Sequence, residues 1–168
     1  MPGFTDDMCA RHLELVSHWR IAAPVEQVWA ALADAETWPR WWPQVRSVRT
    51  LKAGCADGLG SVRRIEWATR PRCDTLIVVE AVESMRHERL SGSACGPWRG
   101  EGIWLLRAEG RFTDVTCVWR LVWVKRRMCW LAPFLVPLLR WNYQGVMRAG
   151  GMGLVRYLQA GGAASGWR

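Results

Sequence analysis

The chain has 168 residues and carries 23 Lys and Arg against 15 Asp and Glu, a formal net charge of +8. Half of the residues are hydrophobic and 23% are charged, the balance of one soluble globular domain large enough to bury a core without staples. The longest nearly apolar stretch, Met128 to Leu139, is too short for a bilayer and holds Pro133 and Pro137; the N-terminus lacks the pattern of a signal peptide, so a cytoplasmic location is expected.

Residues 1–10 read as a loose arm. The segment HLELVSHWRI then alternates, with Leu13, Leu15, Ser17, Trp19 and Ile21 on one face and His12, Glu14, Val16, His18 and Arg20 on the other. That is the period of a half-buried strand. In AAPVEQVWAALADAETW, Pro24 suits a first helical turn, and Val25, Val28, Trp29 and Leu32 repeat at three and four, which predicts a short amphipathic helix. Asp34 is placed to cap a second short helix. The stretch WPRWWPQV, residues 38 to 45, sets Trp38, Trp41 and Trp42 around Pro39 and Pro43. The prolines confine it to one or two turns, and the tryptophans are expected to plug the rim of the fold with large apolar area.

Six further strands are predicted, over Val45–Lys52, Ser61–Thr69, Thr75–Val82, His87–Ser93, Arg99–Arg107 and Asp114–Val124. Turn-rich breaks such as AGCADGLG and AEGRF separate them, and such close spacing favours an antiparallel meander. Val115, Cys117, Trp119, Leu121 and Trp123 share one face of the last strand. From about Phe134 to Gln159, Leu135, Leu139, Asn142, Val146, Ala149 and Gly153 recur at four and three, which predicts one long helix with a single buried stripe. Ala160 to Arg168 reads as a disordered tail. The order strand, two short helices, six strands and long helix describes an α+β fold. Its sheet is curved, antiparallel and seven-stranded, and the long C-terminal helix lies in the concavity.

The cysteines, at 9, 55, 73, 95, 117 and 129, show no CxxC pair, and the three histidines fit no zinc pattern. Reduced thiols, no metal and no cofactor are expected. The cations are mostly Arg and scattered, apart from the run Lys125, Arg126 and Arg127; they read as a solvated face, and no nucleic-acid partner is expected.

Four stretches carry a resemblance: HWRIAAPVEQVWAALADAETWPRWWPQVRSVRTL, GLGSVRRIEWAT, SGSACGPWRGEGIWLL and RWNYQGVMRAGGMGLVRYL. They are similar to the entry strand with its AP-E-VW pattern, the W-W-P-V helix, the glycine-bracketed strands and the closing helix of the SRPBCC superfamily (START or Bet v 1-like), and most resemble its polyketide cyclase/dehydrase-type members. The resemblance spans about residues 11–159 and implies a helix-grip fold with an apolar cavity between sheet and C-terminal helix. It implies the binding or carriage of a lipid, polyketide or aromatic molecule there, or alternatively a cyclase, aromatase or dehydratase that shapes its substrate in the same cavity. Fold by itself sets neither.

Trp19, Trp67, Trp104, Trp119 and Trp123 fall on predicted strands, either lining such a cavity or filling it. Asn142 is the polar member of the helix stripe, beside Val146. Arg64 and Glu66 share a strand face, which is either solvated or turned inward as an ion pair. The expected cavity set is therefore Trp19, Arg64, Glu66, Trp67, Trp104, Trp119, Trp123, Asn142 and Val146. No nucleophile–base pair can be drawn and no catalytic residue is assigned; an enzyme would need Arg64, Glu66 or Glu101 inside. Gly145, Gly150, Gly151 and Gly153 each cost about 1 kcal/mol in a helix interior. That cost is offset by close approach to the sheet or by room for ligand, unless the helix breaks at Gly150-Gly151. The segment KRRMCWLAPFLVPLLRW is either a connector with core contacts or, through Lys125–Leu139, a transient contact with an anionic membrane.

Overall fold

The computed structural model describes residues 12–55, 58–69, 73–96, 98–123 and 132–162. The expected arm and most of the expected tail lie outside these residues, as does Lys125–Leu131. The element order is β1 (His12–Ile21), α1 (Val25–Ala33), a 3₁₀ turn (Ala35–Thr37), α2 (Trp38–Trp41), β2 (Val45–Lys52), β3 (Val62–Thr69), β4 (Cys73–Met85), β5 (Arg89–Cys95), β6 (Trp98–Glu109), β7 (Phe112–Trp123) and α3 (Ala132–Gln159).

All seven strands form one antiparallel sheet in the order β1-β7-β6-β5-β4-β3-β2. Strands β2 to β7 are the expected meander. β1 pairs with β7, so the chain crosses through α1 and α2 from one edge of the sheet to the other. β4 extends beyond its predicted ends because both of its neighbours pair with it, through an irregularity between Ala81 and Glu83. His87, predicted to open a strand, lies in the preceding turn with φ 67°.

Local sequence explains the short helices. Pro24 sits one position ahead of the predicted helix, as its N-cap, and its carbonyl accepts from the N–H groups of Gln27 and Val28. Asp34 occupies the next N-cap position, but its side chain makes no capping bond. Its carbonyl instead accepts from the Thr37 hydroxyl at 2.7 Å. Pro39 stands at the start of α2, where the missing N–H costs nothing.

The buried core joins α1, α2, the inner sheet face and α3, with Val28, Trp42, Val115, Cys117 and Leu154 almost wholly enclosed. The buried line of α3 is Met147, Gly150, Gly151 and Leu154, rotated from the predicted stripe, so Asn142, Val146, Ala149 and Gly153 fall at its half-buried flanks. The reason is packing distance. A Cβ on Gly151 would come within 3.1 Å of the Trp19 ring, and one on Gly150 within 2.5 Å of the Trp42 ring. The predicted stripe runs from Leu135 and Leu139 through Val146 to Ala149 and Gly153, about a third of a turn away from the line of Met147 and Leu154. α3 runs unbroken through Gly150 and Gly151, so close approach is the offset for their helical cost.

Candidate functional site

Trp42 organises the interior. Its ring is 1% exposed and lies within 5.0–6.2 Å, centroid to centroid, of Trp67, Trp41, Trp19, Trp38 and Trp104. Most of these pairs meet edge to face or tilted, the arrangement the ring quadrupoles favour. The WPRWWPQV segment therefore reaches the centre of the molecule instead of only plugging its rim. Three strands and one helical turn supply rings that no single local pattern would bring together.

Beside this cluster an apolar cavity of about 100 Å³ lies between the inner face of β3–β7 and the end of α1 with Trp38. Trp67, Trp104 and Trp119 line it, with Leu32, Ile65 and Val79. Gly92 and Gly102 face each other across β5 and β6 on its floor. Trp119 covers Gly102, where a Cβ would come within 3.0 Å of the indole. The volume is of the order that takes one benzene ring, about 150 Å³, and is below the roughly 300–1,000 Å³ of drug-sized sites.

Ser61, Arg63 and Ser91 are the polar side chains of the cavity's described lining. Arg63 is its single charged lining residue among those described. Its Nη1 donates to the carbonyl oxygen of Ala33, the last residue of α1, at 3.3 Å, a favourable place for a cation at a helix C-terminus. Its Nε is buried and has no hydrogen-bond partner among the described residues, and the same holds for Ser61 Oγ. Two unpaired buried polar atoms are costly unless something satisfies them.

The structure separates the expected site residues. Arg64 and Glu66 occupy the opposite face of β3, Arg64 exposed and Glu66 half-buried, because the inward parity of the strand belongs to Ser61, Arg63, Ile65 and Trp67. Glu101 likewise alternates with the inward Gly102. Trp19 faces the core, where it packs on Trp42 and Trp104, but it is not part of the cavity wall. No described residue of α3 lines the cavity, so Asn142 and Val146 stand outside it, and the cavity lies under the short helices instead of under α3. Trp123 pairs through its backbone with Trp98, and its side chain lies outside the described residues. Sequence reasoning singled out Arg64 and not Arg63; the alternation that puts Arg63 on the same face as Ile65 and Trp67 is the signal that finds it.

A second polar group sits between β1, β7 and α3. Ser17 Oγ and Tyr143 Oη are 3.2 Å apart. Burial pushes the neighbouring Cys117 thiol up to about 12, against weaker opposing hydrogen bonds from Tyr143, Trp119 and Ser17. Burial and the adjacent Cys117 likewise raise the Tyr143 phenol. Both groups are neutral and joined to neighbours, which makes them a bolt holding the helix to the sheet. A broader groove of about 530 Å³ on the outer sheet face carries Arg20, Arg107, Glu109 and Asp114, mixed charges of a solvated surface. Among the described residues no three of His, Cys, Asp and Glu converge to hold a metal, and no helix is long and apolar enough to cross a membrane.

Residues 12–159 match the family described as "Polyketide cyclase / dehydrase and lipid transport", and the chain belongs to that family. Among solved structures it is similar to a START superfamily protein from Mycobacterium smegmatis, with TM-score 0.70, 13% identity, and coverage of 89% of this chain and 99% of the other. It is also similar to the ZhuI aromatase/cyclase of Streptomyces sp. R1128, with TM-score 0.69, 17% identity, and coverage of 91% and 98%. A protein of Thermus thermophilus gives TM-score 0.67 and 20% identity, with coverage of 92% and 100%. At these identities the likeness establishes the helix-grip fold. No curated protein matches the sequence.

Proposed function

We propose that the protein binds and carries a hydrophobic small molecule with a polar, acceptor-bearing end. The observation that carries this reading is an apolar cavity whose lining includes Ser61 and Arg63, each with a buried side-chain atom that has no hydrogen-bond partner among the described residues. A ring or short alkyl segment fits the cavity, and a carboxylate or carbonyl oxygen beside Ser61 and Arg63 would meet their donors once those side chains turn toward it. A guanidinium is permanently charged and suits an acidic end. The membership of a family described by cyclisation, dehydration and lipid transport supports a hydrophobic cargo.

A cyclase or aromatase is the second reading, favoured by Arg63, which is placed to stabilise an enolate oxygen. Among its described lining residues the cavity holds no carboxylate or imidazole to move the proton such a reaction requires. Carriage therefore ranks first.

The test is native mass spectrometry of the freshly purified full chain, followed by titration of its tryptophan fluorescence with fatty acids, aromatic acids and their methyl esters. A retained ligand, or a fluorescence change that is stronger for acids than for esters, is expected. Silence towards the whole panel overturns the proposal.

A further inference from the structure

The charge of this chain is unevenly placed. Residues 1–114 hold 15 cations and 15 carboxylates, whereas residues 115–168 hold eight cations and no carboxylate. The whole net charge of +8 thus belongs to the C-terminal third, the part that contains α3. α3 also presents a second face that the core does not use. Leu138, Trp141, Gly145, Arg148, Met152 and Arg156 follow one another at steps of three and four, opposite the buried line of Met147, Gly150 and Leu154. Trp141 is 66% exposed, Met152 51% and Leu138 44%. Nothing lies within 4 Å of where a Gly145 Cβ would stand. The strip runs about 27 Å along the helix, at 1.5 Å per residue.

We propose that this strip of α3 docks the protein on the surface of an anionic lipid bilayer. Trp141, Leu138 and Met152 supply the apolar contact at headgroup depth, where an indole with its N–H is well accommodated. Arg148 and Arg156 stand in the same strip, and long cationic side chains there reach phosphate while their stems cover apolar area. The charge pattern selects this occupant over a second copy of the chain. Pairing the strip with itself would enclose Arg148 and Arg156 of both copies in an interface with no acidic side chain from residues 115–168 to neutralise them. The face is separate from the cavity and does not depend on the binding reading above. It shares Leu138 with the Lys125–Leu139 contact expected from sequence and otherwise lies further along the helix.

The full-length protein, with Trp141→Ser and Arg148→Glu variants, would be sedimented with vesicles of phosphatidylcholine alone and of phosphatidylcholine mixed with phosphatidylserine. Both altered side chains are exposed, and circular dichroism checks that the fold is kept. Binding is expected only with phosphatidylserine and should weaken as salt is raised. Arg148→Glu changes two units of charge, each worth roughly fivefold at such a surface, and should lower partitioning by about twenty-fivefold. Trp141→Ser should lower it several-fold. An Arg49→Glu control, on the exposed part of β2, should behave less drastically than Arg148→Glu. Equal binding to both vesicle types, no binding to either, or insensitivity to both variants overturns the proposal. A dimer in sedimentation velocity that Trp141→Ser dissolves overturns it in favour of self-association. Ligand titrations of the same variants keep this outcome apart from that of the cavity.

Discussion

The indole Nε1 of Trp42 donates a hydrogen bond to the main-chain carbonyl of Val146 at 3.0 Å, across 104 positions of sequence. That reach depends on Gly150, one turn further along α3. A Cβ there would overlap the Trp42 ring, 2.5 Å from Cε2 and 2.8 Å from Nε1 itself. One ring thus ties the tryptophan segment to the helix and also forms the hub on which Trp19, Trp67 and Trp104 pack.

Replacing Trp42 should therefore test the core more severely than replacing any neighbour. Trp42→Ala is expected to cost about 3–5 kcal/mol. Trp42→Phe keeps a ring but loses the hydrogen bond, worth about 1 kcal/mol, together with part of the packing. Urea unfolding of both variants measures the difference.

Two glycines of the same helix should respond with opposite sign to the same substitution. Gly145→Ala enters open space and should stabilise by about 0.5–1 kcal/mol through helix propensity. Gly150→Ala gains the same propensity but pushes into the buried Trp42 ring, and overpacking of that kind costs about 1–3 kcal/mol. Thermal denaturation should rank Gly145→Ala above the native chain and Gly150→Ala below it.

Adjacent arginines should differ in ligand response. Arg63→Met removes the one charged group among the described residues of the cavity wall and should lower affinity for an acidic apolar probe by roughly tenfold or more. Arg64→Met, on the outer face, should leave it within about twofold, as surface charges generally do. Fluorescence titration with one probe on both variants decides this, and equal losses would remove Arg63 from the site.

Alkaline stability should report on Cys117. Its folded pKa of about 12 lies above the ordinary value of 9.0, so the folded state keeps a proton that the unfolded state releases. The stabilisation is complete below pH 9 and is lost as pH rises toward 12. The raised Tyr143 phenol acts in the same direction. Unfolding free energy should therefore fall over this window, and Cys117→Val should make the fall shallower. At neutral pH the Cys117 thiol should react with a maleimide only as fast as the protein unfolds.

Periodicity and turn residues were enough to place every strand and helix of the described chain, because each element carries its own pattern: alternation in HLELVSHWRI, three-four spacing in VEQVWAAL, glycines between the meander strands. The antiparallel order followed from the short breaks. The site was less legible. Arg63 and Arg64 are adjacent and chemically identical, and only the inward parity fixed by Ile65 and Trp67 separates them. Asn142 and Val146 lie on the predicted stripe that ends at Ala149 and Gly153, while the buried line runs through Met147, Gly150, Gly151 and Leu154, set by packing against Trp19 and Trp42.

By itself the sequence determined the element order, the sheet direction, the long helix and the abundance of large rings, since these depend on contacts between near neighbours. Tertiary structure alone decided which indoles meet, that Trp42 is their hub, that the cavity lies under the short helices, and that Arg63 faces it. Those outcomes depend on the curvature of a seven-stranded sheet and on the closeness of helix approach, quantities that are sums over the whole chain and appear in no single stretch of it.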